Sequence, residues 1–174
     1  MPKGFTVNAH RYDPYKNFKF RVSWNGKTVL GVSKVTALKR TTEVVKHRSG
    51  GENSTDNKSP GRTSYEPITM ERGITHDAEF EAWADKVHPY AGDSAMDLKN
   101  YKIDLTLEVL NEKGHVAKRY FIYRCWVSEY QAVPDLDANA NATAIEYLKV
   151  ENEGWVRDPD LPEPDETAPV PISA

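Results

Sequence analysis

From Phe18 to Trp24 the chain alternates apolar and polar residues without a break, and Asn25-Gly26 follows at once. Phe18, Phe20, Val22 and Trp24 share one face, while Lys19, Arg21 and Ser23 share the other. A period of two belongs to a strand with one buried face. Asn-Gly accepts positive φ at both turn positions, as a tight two-residue hairpin requires. The chain is therefore committed early to an antiparallel hairpin, with Lys27 to Val32 returning. Tyr101 to Leu110 repeats the pattern: Tyr101, Ile103, Leu105, Leu107 and Val109 point inward, and Lys102, Asp104, Thr106 and Glu108 outward. Asn111-Glu112-Lys113-Gly114 reads as the next hairpin turn. Together these patterns predict a mainly β, antiparallel fold.

The other segments fill in that frame. Ser33 to His47 is rich in Val and Thr and predicts one long basic strand; a further strand runs from Ser64 to Glu71 and stops at Gly73. Residues 120–127 are apolar on both faces apart from Arg124, which predicts a strand covered on each side, by a helix and by a partner subunit. Ala144 to Glu151 is the last strand. One helix is predicted over 77–87, because Phe80, Trp83, Ala84 and Val87 form a single stripe. Thr75 or Asp77 is its expected cap, and His88-Pro89 ends it. Residues 48–62 hold no large apolar side chain and predict a long exposed loop. Residues 158–174 carry five prolines and several acids, and predict an extended tail appended to one domain over 1–157.

Composition narrows the function. With 174 residues, 28% charged and a mean hydropathy of -0.69, no apolar run approaches the roughly 18–20 residues of a membrane helix. The first fifteen residues have no apolar core of a secretory signal. A single cysteine, Cys125, forms no internal disulfide and lies in an apolar strand, where thiols are inert. His10, His47, His76, His88 and His115 show no metal-ligand spacing, so no metal is expected. His76-Asp77 precedes a helix and reads as a cap rather than an acid–base pair. No nucleophile elbow, phosphate loop or dinucleotide fingerprint is present, so neither a catalytic residue nor a cofactor site is expected. The net charge of -3 hides an asymmetry: residues 1–62 sum to +9 and residues 63–174 to -12. A basic half suits either nucleic acid or self-association with an acidic half. Two readings stay open on these grounds: a β-rich assembly module, or a β-domain that binds nucleic acid or an envelope through its basic half.

Several phrases, taken in order, carry a resemblance. They are the run from Val32 to Val45, then Arg48-Ser49-Gly50-Gly51, the run from Pro60 to Gly73, Thr75-His76-Asp77 and Phe80-Glu81-Ala82-Trp83. Leu136 to Asn141 and Glu153-Gly154-Trp155 complete the set. With these the chain, from about Tyr15 to about Trp155, resembles the tail tube proteins of contractile phages, most closely the inner-tube subunits of phage-tail-like contractile injection systems. The resemblance implies a β-barrel or sandwich subunit with one packed helix, no catalysis and no cofactor. It also implies homo-hexameric rings that close strands into a ring-wide barrel and stack as a hollow conduit. A similar fold occurs in the hexameric ring protein of type VI secretion. Implied partners are a contractile sheath protein, baseplate and cap or terminator proteins, and cargo in the lumen, without membrane insertion of the subunit. Assembly in the bacterial cytoplasm, within a particle retained or released, is implied too. A tube-initiating paralogue near the baseplate would share all of these phrases.

The charge split suggests where such rings would meet. Lys39, Arg40, Lys46, Arg48, Lys58 and Arg62 are the expected basic contacts, with Gly50 and Gly51 in the loop that reaches an adjacent ring. Glu71, Asp77, Glu79, Glu81, Asp135 and Asp137 are the expected acidic side, and Arg72 is grouped with the interface.

Overall fold

The computed structural model describes residues 14–48, 50–51, 56–139, 141–165 and 169–170. The extended N-terminal start, loop positions 49 and 52–55, and tail positions 166–168 and 171–174 lie outside the described residues. Ten strands and one α-helix are described: β1 (Phe20–Trp24), β2 (Lys27–Val29), β3 (Val32–Val35), β4 (Arg40–His47), β5 (Asn57–Tyr65), β6 (Ile68–Gly73), α1 (Glu79–Val87), β7 (Ile103–Leu110), β8 (Val116–Gln131), β9 (Ile145–Glu151) and β10 (Gly154–Arg157). The chain is mainly β, its registered strand pairs are antiparallel, and the described strands do not close into a barrel. Two compact units emerge, one from Gly31–Ile103 with Arg124–Gly154, the other from the remainder of the chain.

In the second of these, β1 pairs with β2 and with β7. Asn25 (φ 51) and Gly26 (φ 73) make the turn that their sequence calls for. Val22, Trp24, Val29, Leu105 and Ile122 are buried, so the alternation of 18–24 and 101–110 is realised at its centre. Glu108, expected to face outward, is 6% exposed. Arg21 Nη2 reaches its carboxylate at 2.6 Å and Arg119 Nε at 2.8 Å, which makes the burial of that charge tolerable. Arg119 also holds Asp158 at 3.1 Å, and the Asp158 N–H donates to the Arg119 carbonyl. The expected tail is thus fastened at its first residue, although its described positions adopt no regular structure.

In the other unit the strand order is β3-β6-β9-β8, with α1 and a separate two-stranded sheet, β4-β5. Strict alternation on β6 and β9 places Ile68, Met70 and Arg72 opposite Val150, Leu148 and Glu146, all on one buried face. Phe80 and Trp83 of α1 are buried as their stripe predicts, and Trp83 Nε1 donates to the Tyr101 carbonyl at 3.0 Å. The N-cap position is Ala78, which offers no side-chain cap, so neither Thr75 nor Asp77 caps the helix as expected; Asp77 Oδ1 instead accepts the Glu79 N–H at 3.0 Å from one residue further out.

Four expectations give way. The single strand over 33–47 is broken after Val35, and 64–71 is broken by Glu66-Pro67. Pro67 has no N–H to contribute to a ladder, so pairing is interrupted there. The polar stretch 48–62 is not simply a loop, since its positions from Asn57 onward form β5. Finally, β8 is not buried on both faces within the subunit: Tyr123 is 40% exposed, and Tyr120, Phe121 and Trp126 are half-buried. Buried positions run Ile122, then Cys125 and Val127, an odd step. Arg124 has φ 54 there and shifts the alternation by one residue, in the manner of a bulge. The change of phase at Arg124 explains why apolar residues fall on both alternations of the strand.

Candidate assembly surface

The ribbon β4-β5 with its turn and root gathers the predicted basic contacts other than Arg72. Its register is Arg40↔Tyr65, Thr42↔Thr63, Val44↔Pro60, Val45↔Ser59, Lys46↔Lys58 and His47↔Asn57, with a bulge between Thr42 and Val44. Val and Thr favour the extended backbone in β4, while β5 follows as its hydrogen-bonding partner. Gly61 fits closely at the bulge, where an added Cβ would lie 3.0 Å from Val45 Cγ2 and 3.3 Å from the Glu43 carbonyl oxygen. The hydroxyls of Thr42 and Thr63 hydrogen-bond at 2.9 Å. At the root, Lys39 pairs with Glu66 at 2.7 Å, and Asn152 Nδ2 donates to the Glu66 carbonyl at 3.0 Å.

Every residue of β4 is exposed, with Val44 at 60%. Among the described residues no third strand pairs with the ribbon, so both its edges are open. Isolated two-stranded hairpins are marginal in water, and open edges invite pairing with another chain. Lys46 directly opposes Lys58, and like charges facing each other across a ladder are destabilising.

The predicted basic residues cluster on the ribbon, and the acidic ones scatter. Lys39 sits at the ribbon root; Arg40, Lys46, Lys58 and Arg62 lie on the strands; Arg48, Gly50 and Gly51 lie in the turn region. Glu71 lies on β6 and pairs with Lys34 at 2.8 Å. Asp77, Glu79 and Glu81 mark the start of α1. Asp135 and Asp137 are exposed beyond β8, and Asp137 Oδ1 accepts the Asn139 N–H at 2.9 Å. Arg72 departs from its expected role. It is 1% exposed, pairs with Glu146 Oε1 at 2.5 Å and Asp77 Oδ2 at 3.1 Å, and lies over the Phe80 ring at 4.1 Å. Its guanidinium is spent inside the subunit, fastening α1 to the sheet. Sequence reasoning placed it outside because Arg is seldom buried; its phase with Ile68 and Met70 was the available signal.

Two electrostatic features lie nearby. Burial, then the charge and hydrogen bond of Glu146, push the Tyr130 hydroxyl up to about 12. A hydrogen bond from Lys102, joined by the charge of Arg124, holds the Glu153 carboxyl below its usual range. That carboxylate reaches Arg124 at 2.6 Å and so secures the residue with the positive φ. Among the described residues, no group of three His, Cys, Asp or Glu side chains is placed to hold a metal. No described helix is long and apolar enough to cross a membrane.

No curated protein sequence matches the chain significantly. Among solved structures, a chain of the anti-feeding prophage (AFP) baseplate, 6-fold symmetrised, superposes with a TM-score of 0.69 at 20% identity, covering 84% of this chain and 97% of that one. A chain of the PVC sheath-tube complex in its extended state, an extracellular contractile injection system, gives 0.68 at 19% identity, covering 83% of this chain and 91% of that one. A chain of the anti-feeding prophage tube-terminating cap gives 0.70 at 19% identity, covering 91% of this chain and 99% of that one. At such identities these likenesses establish the fold. The family model described as T4-like virus tail tube protein gp19 matches residues 16–156. The chain therefore belongs to the T4-like virus tail tube protein gp19 family, a family of structural tube proteins.

Proposed function

We propose that this chain is the inner-tube subunit of a contractile injection system, stacking as hexameric rings into a hollow conduit. The observation that carries the reading is the ribbon β4-β5, fully exposed along β4 and open at both edges, in a chain of the tail tube family. A neighbour's strand or surface would cover it, and a closed ring would remove the open edges. In this reading residues 1–157 work as one tube domain and 158–174 as an appended tail. The sheath surrounds the tube, baseplate and cap proteins close its ends, and cargo occupies the lumen. Assembly takes place in the bacterial cytoplasm, before the particle is retained or released. The role is mechanical and needs no catalytic residue.

Ring stacking in this reading draws on charge. Lys39, Arg40, Lys46, Arg48, Lys58 and Arg62, with the turn at Gly50 and Gly51, face Glu71, Asp77, Glu79, Glu81, Asp135 and Asp137 of the next ring. Each exposed pair is worth roughly 0–1 kcal/mol, but sixfold repetition multiplies the total. Arg72 acts only indirectly, by positioning Asp77.

Native mass spectrometry and negative-stain images of purified protein test the proposal. Six-copy rings and uniform tubes are expected. A monomer at every concentration, with or without baseplate components, would refute it; salt-dependent DNA binding by that monomer would favour a nucleic-acid module instead.

A further inference from the structure

We infer that the outer part of the ribbon docks on the segment Val133–Asp137 of a second copy of this chain. The inference rests on the tube-subunit reading and names the two surfaces that meet.

The ribbon side is defined by register. Val44↔Pro60 and Lys46↔Lys58 are directly opposed pairs two residues apart, so all four side chains share one face. That face presents an apolar step beside a step of two cations. All four residues are exposed. Among the described residues no carboxylate pairs with Lys46 or Lys58, and the two ammonium groups repel across the ladder. A partner that brings two carboxylates and some apolar area removes both defects at once.

The segment beyond β8 has that composition. Asp135 and Asp137 flank Leu136, which is 77% exposed, and Val133 is 55% exposed. The Asn139 N–H bonded to Asp137 holds the turn in shape. Several other acids are already engaged within the chain. Glu71 is held by Lys34, Asp77 by Arg72, Asp97 by Asn100, and Glu129 by the Tyr147 hydroxyl. Since the ribbon face and the segment are both exposed in the same chain, neither covers the other there. A head-to-tail contact between copies satisfies both, and repeats without limit along a stack.

Charge exchange in the full-length protein tests this. Lys46→Glu with Lys58→Glu, or Asp135→Lys with Asp137→Lys, should each lower the fraction of protein sedimenting as tubes by about tenfold at low salt. The fourfold variant, which swaps the signs of both surfaces, should restore that fraction to within about twofold of the original. As a second readout, Val44→Cys protein mixed with Leu136→Cys protein should give a disulfide-linked dimer on oxidation; Cys125 is buried and stays apart. If the unaltered protein forms tubes but the fourfold variant recovers nothing and no crosslink appears, the docking surface is wrong and the tube reading stands. If the unaltered protein forms no ring or tube, both fall.

Discussion

The sheet β3-β6-β9-β8 and the ribbon β4-β5 belong to the same compact unit, yet they are stabilised by different means. In the sheet, every second residue of β6 and β9 is buried, α1 adds Phe80 and Trp83, and the one buried cation is answered by Glu146 and Asp77. In the ribbon, β4 buries nothing and its cross-strand contacts are hydroxyls, a valine beside a proline, and two opposed lysines. The first region is complete within one chain. The second has a chosen shape but little of its own to hold it. Under the proposed function, that contrast gives the sheet to folding and the ribbon to assembly.

Substitutions should separate the two roles. Trp83→Ala removes the largest fully buried side chain and should cost about 3–5 kcal/mol in denaturant melts. Arg72→Ala leaves Glu146 buried without its cation and should cost a similar 3–5 kcal/mol or so. If either variant melts like the parent, the sheet is not the stabilising element. Val44→Ser should change subunit stability by less than about 0.5 kcal/mol while reducing tube yield. A large melting loss in that variant would show that the ribbon stabilises the lone subunit and break the contrast.

Smaller effects sharpen it. Arg124 occupies a left-handed conformation, so Arg124→Val should be less stable than Arg124→Gly by about 1–2 kcal/mol. Equal melts would mean that the strand relaxes around the site. Tyr130, raised by burial and then by Glu146, keeps its proton more tightly folded than unfolded. Its stabilising contribution is therefore full below about pH 10 and lost as pH rises towards about 12. Tyr130→Phe should flatten the alkaline decline of melting temperature over that window, and an unchanged slope would locate the decline elsewhere. Truncation after Arg157 removes the partner of Arg119 and should cost roughly 0–1 kcal/mol, whereas truncation after Asp160 should cost nothing measurable.

How far the sequence could be read follows the same division. Where a residue contributes to a buried face of this chain, periodicity exposed most of it: β1 and β7 lie within 18–24 and 101–110, starting two residues late at Phe20 and Ile103 with Phe18 exposed, and Phe80 and Trp83 of the α1 stripe are buried. The strand β5 was hidden because periodicity is a burial signal and the ribbon buries nothing in the subunit. Arg72 and Glu108 were misplaced because each is a charge at a buried position, and only the three-dimensional register supplies its counter-ion. The step at Arg124 was likewise invisible, since one residue with positive φ reverses the facing of everything after it. Charge composition identified the ribbon's basic character but not that Lys46 would oppose Lys58, which depends on the bulge after Thr42.

Hydrogen–deuterium exchange, compared between dispersed subunits and assembled tubes, tests the central claim most directly. Amides of Ile68–Gly73 and Ile145–Glu151 should be protected in both states, because their partners lie within the chain. Amides of Arg40–His47 and Asn57–Tyr65 should exchange rapidly in the subunit and become strongly protected in the tube. Equal protection of the ribbon in both states would contradict the account, since the ribbon would then need no neighbour to hold it.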